Sequence, residues 1–227
     1  MRLRQLSDLQ NDVLVLLDEV GSGKPAEADL TEPLNQAWAK LYRRITNAGE
    51  HYYLALANFS TSGGTNDYPV PSDYLKTVGL DVQISGTQFF PAHRMQFEQR
   101  NDYQLSDWSW PRRILYDIWG QTVHFVPTPG GAFNCRHYYY PAPLRMTAPS
   151  DSIDGIDGAE LAMVYLAAAN AALSLEQWEM ADRLEAKVAA EWAEIEMGIR
   201  DRNVGEAPMA RVVRGRPATR GFRTWWR

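Results

Sequence analysis

Few side chains in this sequence have both the type and the spacing that chemistry needs. Gly21-Ser-Gly-Lys-Pro25 has the composition of a phosphate-binding loop. That loop requires a glycine five residues before Gly23, where Asp18 stands, and a Ser or Thr after Lys24, where Pro25 stands. It reads instead as the loop that ends a helix. The stretch DSIDGIDG, residues 151–158, sets Asp151, Asp154 and Asp157 three apart, whereas a calcium loop presents oxygens at alternate positions and closes on a distal glutamate. Asp157 is better read as a helix cap and the glycines as turns. His51, His93, His124 and His137 show no His-x3-His spacing, and Cys135 is the single cysteine, so neither a zinc site nor an intrachain disulfide is spelled out. Cys135 reads as a structural thiol in a strand. No Gly-x-Ser-x-Gly elbow occurs, and Glu176, Glu179, Glu185, Glu191, Glu194 and Glu196 read as a solvated or partner-facing helix surface. The expectation is a protein that is not an enzyme and carries no cofactor and no metal.

The most distinctive chemistry lies in the last residues, RGRPATRGFRTWWR. From residue 211 onward there are six arginines and no acid, with two glycines, one proline and the pair Trp225-Trp226. The other 17 basic residues share the chain with 28 acidic ones, so charge is segregated into an acidic body and a basic end. A segment of this composition does not fold alone. Ordering it costs more than two buried tryptophans recover, so a docked arm also needs backbone hydrogen bonds or arginine–carboxylate pairs along an extended groove. Arg211, Arg214, Arg216, Arg220, Phe222, Arg223, Trp225, Trp226 and Arg227 are therefore the expected partner-binding residues of an assembly arm. The rival reading is a nucleic-acid-binding module that uses this tail, marked by strong salt-dependent DNA binding lost on its deletion. HYYYPAP raises the same question, since aromatic strands can stack single-stranded bases. Core packing of Phe133, His137 and Tyr139 against the helices is the better account.

The body must position that arm. At 227 residues, 45% of them hydrophobic, it can bury a real core. No stretch approaches the ~20 apolar residues of a membrane span, and MRLRQLSDLQ lacks the apolar centre of a signal peptide, so a protein made and used inside a cell, with no membrane partner, is expected. Ser7 to Gln10 matches a capping box ahead of Leu9, Val13, Leu16, Leu17 and Val20. Thr31 is placed to cap a second helix with the stripe Leu34, Trp38, Leu41, Tyr42 and Ile45. Between about residues 51 and 147 the pattern becomes strand-like. Val78, Leu80, Val82 and Ile84 alternate, 113–119 and 122–126 form a hairpin around Gly120, and a third run starts at Ala132. Helices return with Leu161, Val164, Tyr165, Ala168 and Ala172. Ser174 to Gln177 then reads as a capping box opening a long helix with Trp178, Ala181, Leu184, Val188, Trp192, Ile195 and Ile199 on one side. The expected fold is α+β, an antiparallel bundle of two N-terminal and two C-terminal helices with an inserted antiparallel β-meander and an extended C-terminal arm. Its parts are 1–50, 51–150, 151–203 and 204–227.

Several segments carry a family likeness: LNQAWAKLYRRI from Leu34, DYPVPSDYLKTVGLDV from Asp67, RRILYDIWGQTVHFVPTP from Arg112, HYYYPAPL from His137 and IDGIDGAELAMVYLAAANAAL from Ile153. Over about residues 31 to 200 the chain resembles the head-to-tail adaptor (connector, or tail accessory) proteins of tailed bacteriophages. The resemblance implies a structural virion protein, assembled in the host cytoplasm and located in the neck. It implies a ring of twelve copies that docks on the portal protein through a C-terminal extension, here Arg211 to Arg227. It further implies that the ring extends the DNA channel, passes genomic DNA without sequence-specific binding, and offers a platform for tail or nozzle proteins. An acidic lumen suits that passage, because it repels phosphates.

Overall fold

The computed structural model describes residues 3–18, 27–48, 51–99, 101, 114–155 and 159–203. Four α-helices among them build one layer: α1 (Leu6–Asp18), α2 (Thr31–Asn47), α3 (Ala159–Ser174) and α4 (Trp178–Asn203). In α1, Leu6, Leu9, Val13 and Leu17 recur at helical spacing and all are buried. The α2 stripe of Leu34, Trp38, Leu41, Tyr42 and Ile45 is buried as expected. Helix α3 packs against α1, α2 and α4, and its many alanines let those axes come close. The four helices share one core, which also takes in Met146 and Ile153.

The expected capping residues do other work. Helix α1 already starts at Leu6, and its first N–H groups are met by backbone carbonyls: Leu6 donates to Asp151 at 2.8 Å and Ser7 to Pro149 at 3.2 Å. The chain enters α2 through a 3-10 turn, Glu27–Leu30, with Leu30 at the cap and no side-chain capping bond. The Thr31 hydroxyl accepts from Gln10 Nε2 at 3.1 Å instead, tying α2 to α1. Ser174 is the last residue of α3, its hydroxyl donating back to the Ala171 carbonyl at 2.7 Å. Glu176, at φ 59, forms the left-handed corner, with Gln177 N–H bonded to the Ala172 carbonyl and Glu176 N–H to that of Leu173. The Gln177 carbonyl then accepts from Ala181, so Gln177 rather than Ser174 caps α4.

The β residues form a two-sheet sandwich. One sheet runs β2 (Ala55–Ser60), β9 (Asn134–Pro141), β4 (Tyr74–Ser85), β5 (Gln88–Pro91). The other runs β3 (Asp67–Pro69), β8 (Thr122–Val126), β7 (Leu115–Trp119), β6 (His93–Arg94). Both sheets contribute to a second core of Tyr68, Leu80, Val82, Tyr116, Val123, Phe125 and Cys135. The hairpin around Gly120 (φ 62) is present as expected. A simple meander is not: β9 inserts between β2 and β4, and β6 pairs with β7 in parallel. Val78 is exposed although Leu80 and Val82 are buried, because β4 shifts register between Thr77 and Gly79 and the alternation slips there. A separate two-stranded sheet, β1 (Leu3–Gln5) with β10 (Ser152–Asp154), fastens the segment ahead of α1 to the one ahead of α3.

Two further expectations of burial fail. Leu161 is exposed, and Ala162 and Met163 occupy the buried face of α3. Trp178, the first residue of α4, is exposed ahead of the point where that helix meets α3.

Candidate docking surface

The arm residues Arg211 to Arg227, the loop 21–25 and Asp157 lie outside the described residues. The other candidates can be placed. Among the described residues no three of His, Cys, Asp and Glu gather as metal ligands. His124 Nδ1 lies 2.6 Å from Asp67 Oδ1, and its ring stacks on Trp119 at 3.6 Å. Trp119 Nε1 donates to Asp117 Oδ2 at 3.2 Å, and Arg94 Nε donates to Asp117 Oδ1 at 3.1 Å. His51 pairs with the Tyr140 hydroxyl at 3.1 Å, and His93 is exposed on β6. His137 is buried, with Nε2 at 2.9 Å from the Thr77 hydroxyl, and burial lowers its pKa to about 4, so the ring is neutral at pH 7. Cys135 sits buried in β9, where desolvation pushes the thiol up to about 12 and leaves it without nucleophilic character.

His137 and Tyr139 share a face of β9 with Cys135, whereas Phe133, in the segment leading into β9, packs against the sandwich core. The HYYYP strand is therefore core-packed as expected, but the expected packing partner was the helical layer. Tyr140 is the buried neighbour that meets His51 instead.

A shaped, largely apolar surface lies where α2 meets the end of β9. Trp38, Tyr42 and Tyr53 form an aromatic cluster: Trp38 meets Tyr42 edge-on at 5.5 Å and Tyr53 edge-on at 6.1 Å, and Tyr42 lies 4.6 Å from Tyr53. The Tyr42 hydroxyl donates to the Pro141 carbonyl at 2.8 Å, and burial, with Tyr140 and Asp73 nearby, pushes it up to about 12. The segment that follows is clamped to α2. Asn35 Nδ2 donates to the Met146 carbonyl at 2.9 Å and Asn35 Oδ1 accepts from Met146 N–H at 2.8 Å. Asp151 shapes the next turn, its Oδ2 accepting from the N–H groups of Ala148 and Thr147, and these bonds hold its carboxyl below the usual range. On the far side, Tyr53 donates to the Asp154 carbonyl at 2.9 Å and Tyr52 to Asp154 Oδ1 at 3.1 Å.

These fixed elements enclose a groove of about 300 Å³, lined by Leu3, Trp38, Tyr53, Pro141, Leu144 and Asp154 among others. An adjoining pocket of about 210 Å³ shares Trp38, Pro143 and Leu144 and reaches Glu32, which pairs with Arg145 at 2.6 Å. A third, basic cavity of about 660 Å³ lies by Lys40, Arg43, Arg44 and Glu196. There Arg44 is held by Glu196 at 2.7 Å and lies 4.4 Å over the Trp192 ring, which joins α2 to α4. Sequence reasoning passed over the groove; its one local sign was YPAPL, an apolar, doubly proline-marked loop.

Among the described residues no helix is long and apolar enough to cross a membrane. A search of curated proteins found no match. A comparison with protein-family models matches the family described as SU10 adaptor protein over residues 4–217. That match runs from β1 through α4 and into the C-terminal segment, so the chain belongs to the SU10 adaptor protein family and is a phage head-to-tail adaptor protein.

Proposed function

We propose that the chain is a structural, non-enzymatic subunit of the virion neck. Twelve copies close into a ring beneath the portal, extend the DNA channel and carry tail or nozzle proteins below. The observation that carries this reading is the family match over residues 4–217. The charge distribution is consistent with it: an acidic body lets DNA slide, and six arginines at the C-terminal end are kept for protein contacts. Heterologous contacts that close on themselves give such a ring, so each copy presents two different side faces. Arg211, Arg214, Arg216, Arg220, Phe222, Arg223, Trp225, Trp226 and Arg227 act as the attachment segment. Deleting residues 211–227 tests this. The shortened chain should keep its circular dichroism spectrum and fail to attach to the portal, and normal attachment would refute the role of the arm.

A further inference from the structure

Among the described residues, four strands of the sandwich lie at a sheet edge: β2 and β5 in one sheet, β3 and β6 in the other. An open edge invites another chain unless it is short, charged or interrupted by proline. Strand β3 is three residues long with Asp67 and Pro69, and β6 is the two residues His93 and Arg94. The edges of the first sheet are different. In a chain that is 22% charged, β2 reads ALANFS and β5 reads QFFP, with no charge in either. Strand β2 also has no proline and no register slip over its six residues.

The hydrogen-bond phase shows which groups are open. Thr61 N–H donates to the Phe133 carbonyl at 2.9 Å, so Phe59, Ala57 and Ala55 exchange bonds with β9, and the N–H and C=O groups of Leu56 and Asn58 point away from it. Ala92 N–H donates to the Leu80 carbonyl at 2.7 Å, so Phe90 faces β4, and the backbone of Phe89 and the carbonyl of Pro91 point outward. Each edge also leaves a large apolar side chain in water: Leu56 is 49% exposed on β2, and Phe90, opposite the buried Val82, is 46% exposed on β5.

We propose that the β5 edge of one copy pairs with the β2 edge of the next, joining their sheets head to tail. Each neighbouring pair in the order β2-β9-β4-β5 is antiparallel, so β2 and β5 run in opposite directions, and copies set side by side in one orientation meet antiparallel at the seam. In the register with Phe89 opposite Asn58, those two residues exchange both backbone bonds. The Leu56 N–H then donates to the Pro91 carbonyl, which needs no N–H from the proline. The same register sets Phe90 opposite Ala57, a large ring beside a small side chain on the core face, and Pro91 against Leu56 on the outer face. A seam of two unlike edges repeats from copy to copy, as a closed ring requires, whereas β2 against a second β2 would end at a dimer.

This inference rests on the ring reading and identifies the two side faces that reading calls for. Its test uses the full chain in two tagged forms, Asn58→Cys and Phe89→Cys, mixed with the portal of the same phage and treated with a short bis-maleimide. The native Cys135 is buried. Linkage between differently tagged chains should exceed at least tenfold that seen when Val15→Cys, exposed on α1, replaces Asn58→Cys. Equal yields overturn the proposal, and so does equally efficient linkage of Asn58→Cys chains to one another. Asn58→Pro gives an independent reading, because it removes an outward N–H and no bond to β9. Its circular dichroism spectrum should match the wild type while native mass spectrometry shows the ring lost, and an intact ring overturns the seam. A wild-type ring without the Asn58–Phe89 link sinks this seam alone, whereas absence of any wild-type ring sinks the assembly reading as well.

Discussion

Around α3 the interior is built from alanine, with Ala159, Ala162, Ala167, Ala168, Ala169, Ala171 and Ala172 all buried. Between and beside the two sheets it is built from rings and a few buried polar groups: Tyr68, Tyr116 and Phe125, with His137, His124 and Asp117. Both regions exclude water, but they are vulnerable in different ways. A helix surrounded closely on several sides has no room for added volume. A sandwich that buries a titratable ring acquires a dependence on pH.

The largest expected effect breaks the comparison on the side of the sandwich. The unfolded chain protonates His137 near 6.5, whereas the folded one resists until about 4. Below 6.5 the unfolded state therefore binds the extra proton, and stability falls until about pH 4, where the loss levels off; above 6.5 this group contributes no slope. The loss is on the order of 3 kcal/mol. Urea unfolding of the wild type and of His137→Gln, compared at pH 7 and pH 4.5, should show a much smaller drop in the variant. Carboxylates elsewhere titrate alike in both proteins and cancel. Equal drops would mean that the ring is already protonated in the fold.

Next in size is overpacking of the helical layer. Ala168→Leu should cost about 1–3 kcal/mol, because three extra heavy atoms cannot be absorbed between close helices. The same change at Ala186, exposed on α4, should stay within about 0.5 kcal/mol. A similar response at both sites would mean that α3 is not tightly enclosed. The smallest effect sharpens the account of the α3–α4 corner. Glu176→Gly should stabilise by about 0.5–1 kcal/mol, since its φ of 59 suits glycine, read as a higher urea midpoint.

The same contrast explains what could be read from the residues alone. The α2 stripe was legible because one face is buried and one is wet, so Leu34, Trp38, Leu41, Tyr42 and Ile45 stand out by spacing. Helix α3 is buried on several sides, its periodicity is lost, and Leu161 was assigned to the core in place of Met163. Local alternation revealed β4 and β9 but carries no information on long-range pairing, so β9 between β2 and β4 was invisible, as was the slip that exposes Val78. The groove was hidden for the same reason: Leu3, Trp38, Tyr53, Leu144 and Asp154 come from five separate segments and meet only in the fold. The proposed arm rests on charge segregation and aromatic content alone, which need no tertiary structure, and it lies outside the described residues.

The proposed function is that of a closed assembly of identical copies on the portal. The most direct measurement is the native mass of the complex formed when the full chain is mixed with the portal of the same phage. A single species carrying twelve adaptor copies per portal ring is the predicted result. A chain that remains monomeric at high concentration with the portal present would contradict it.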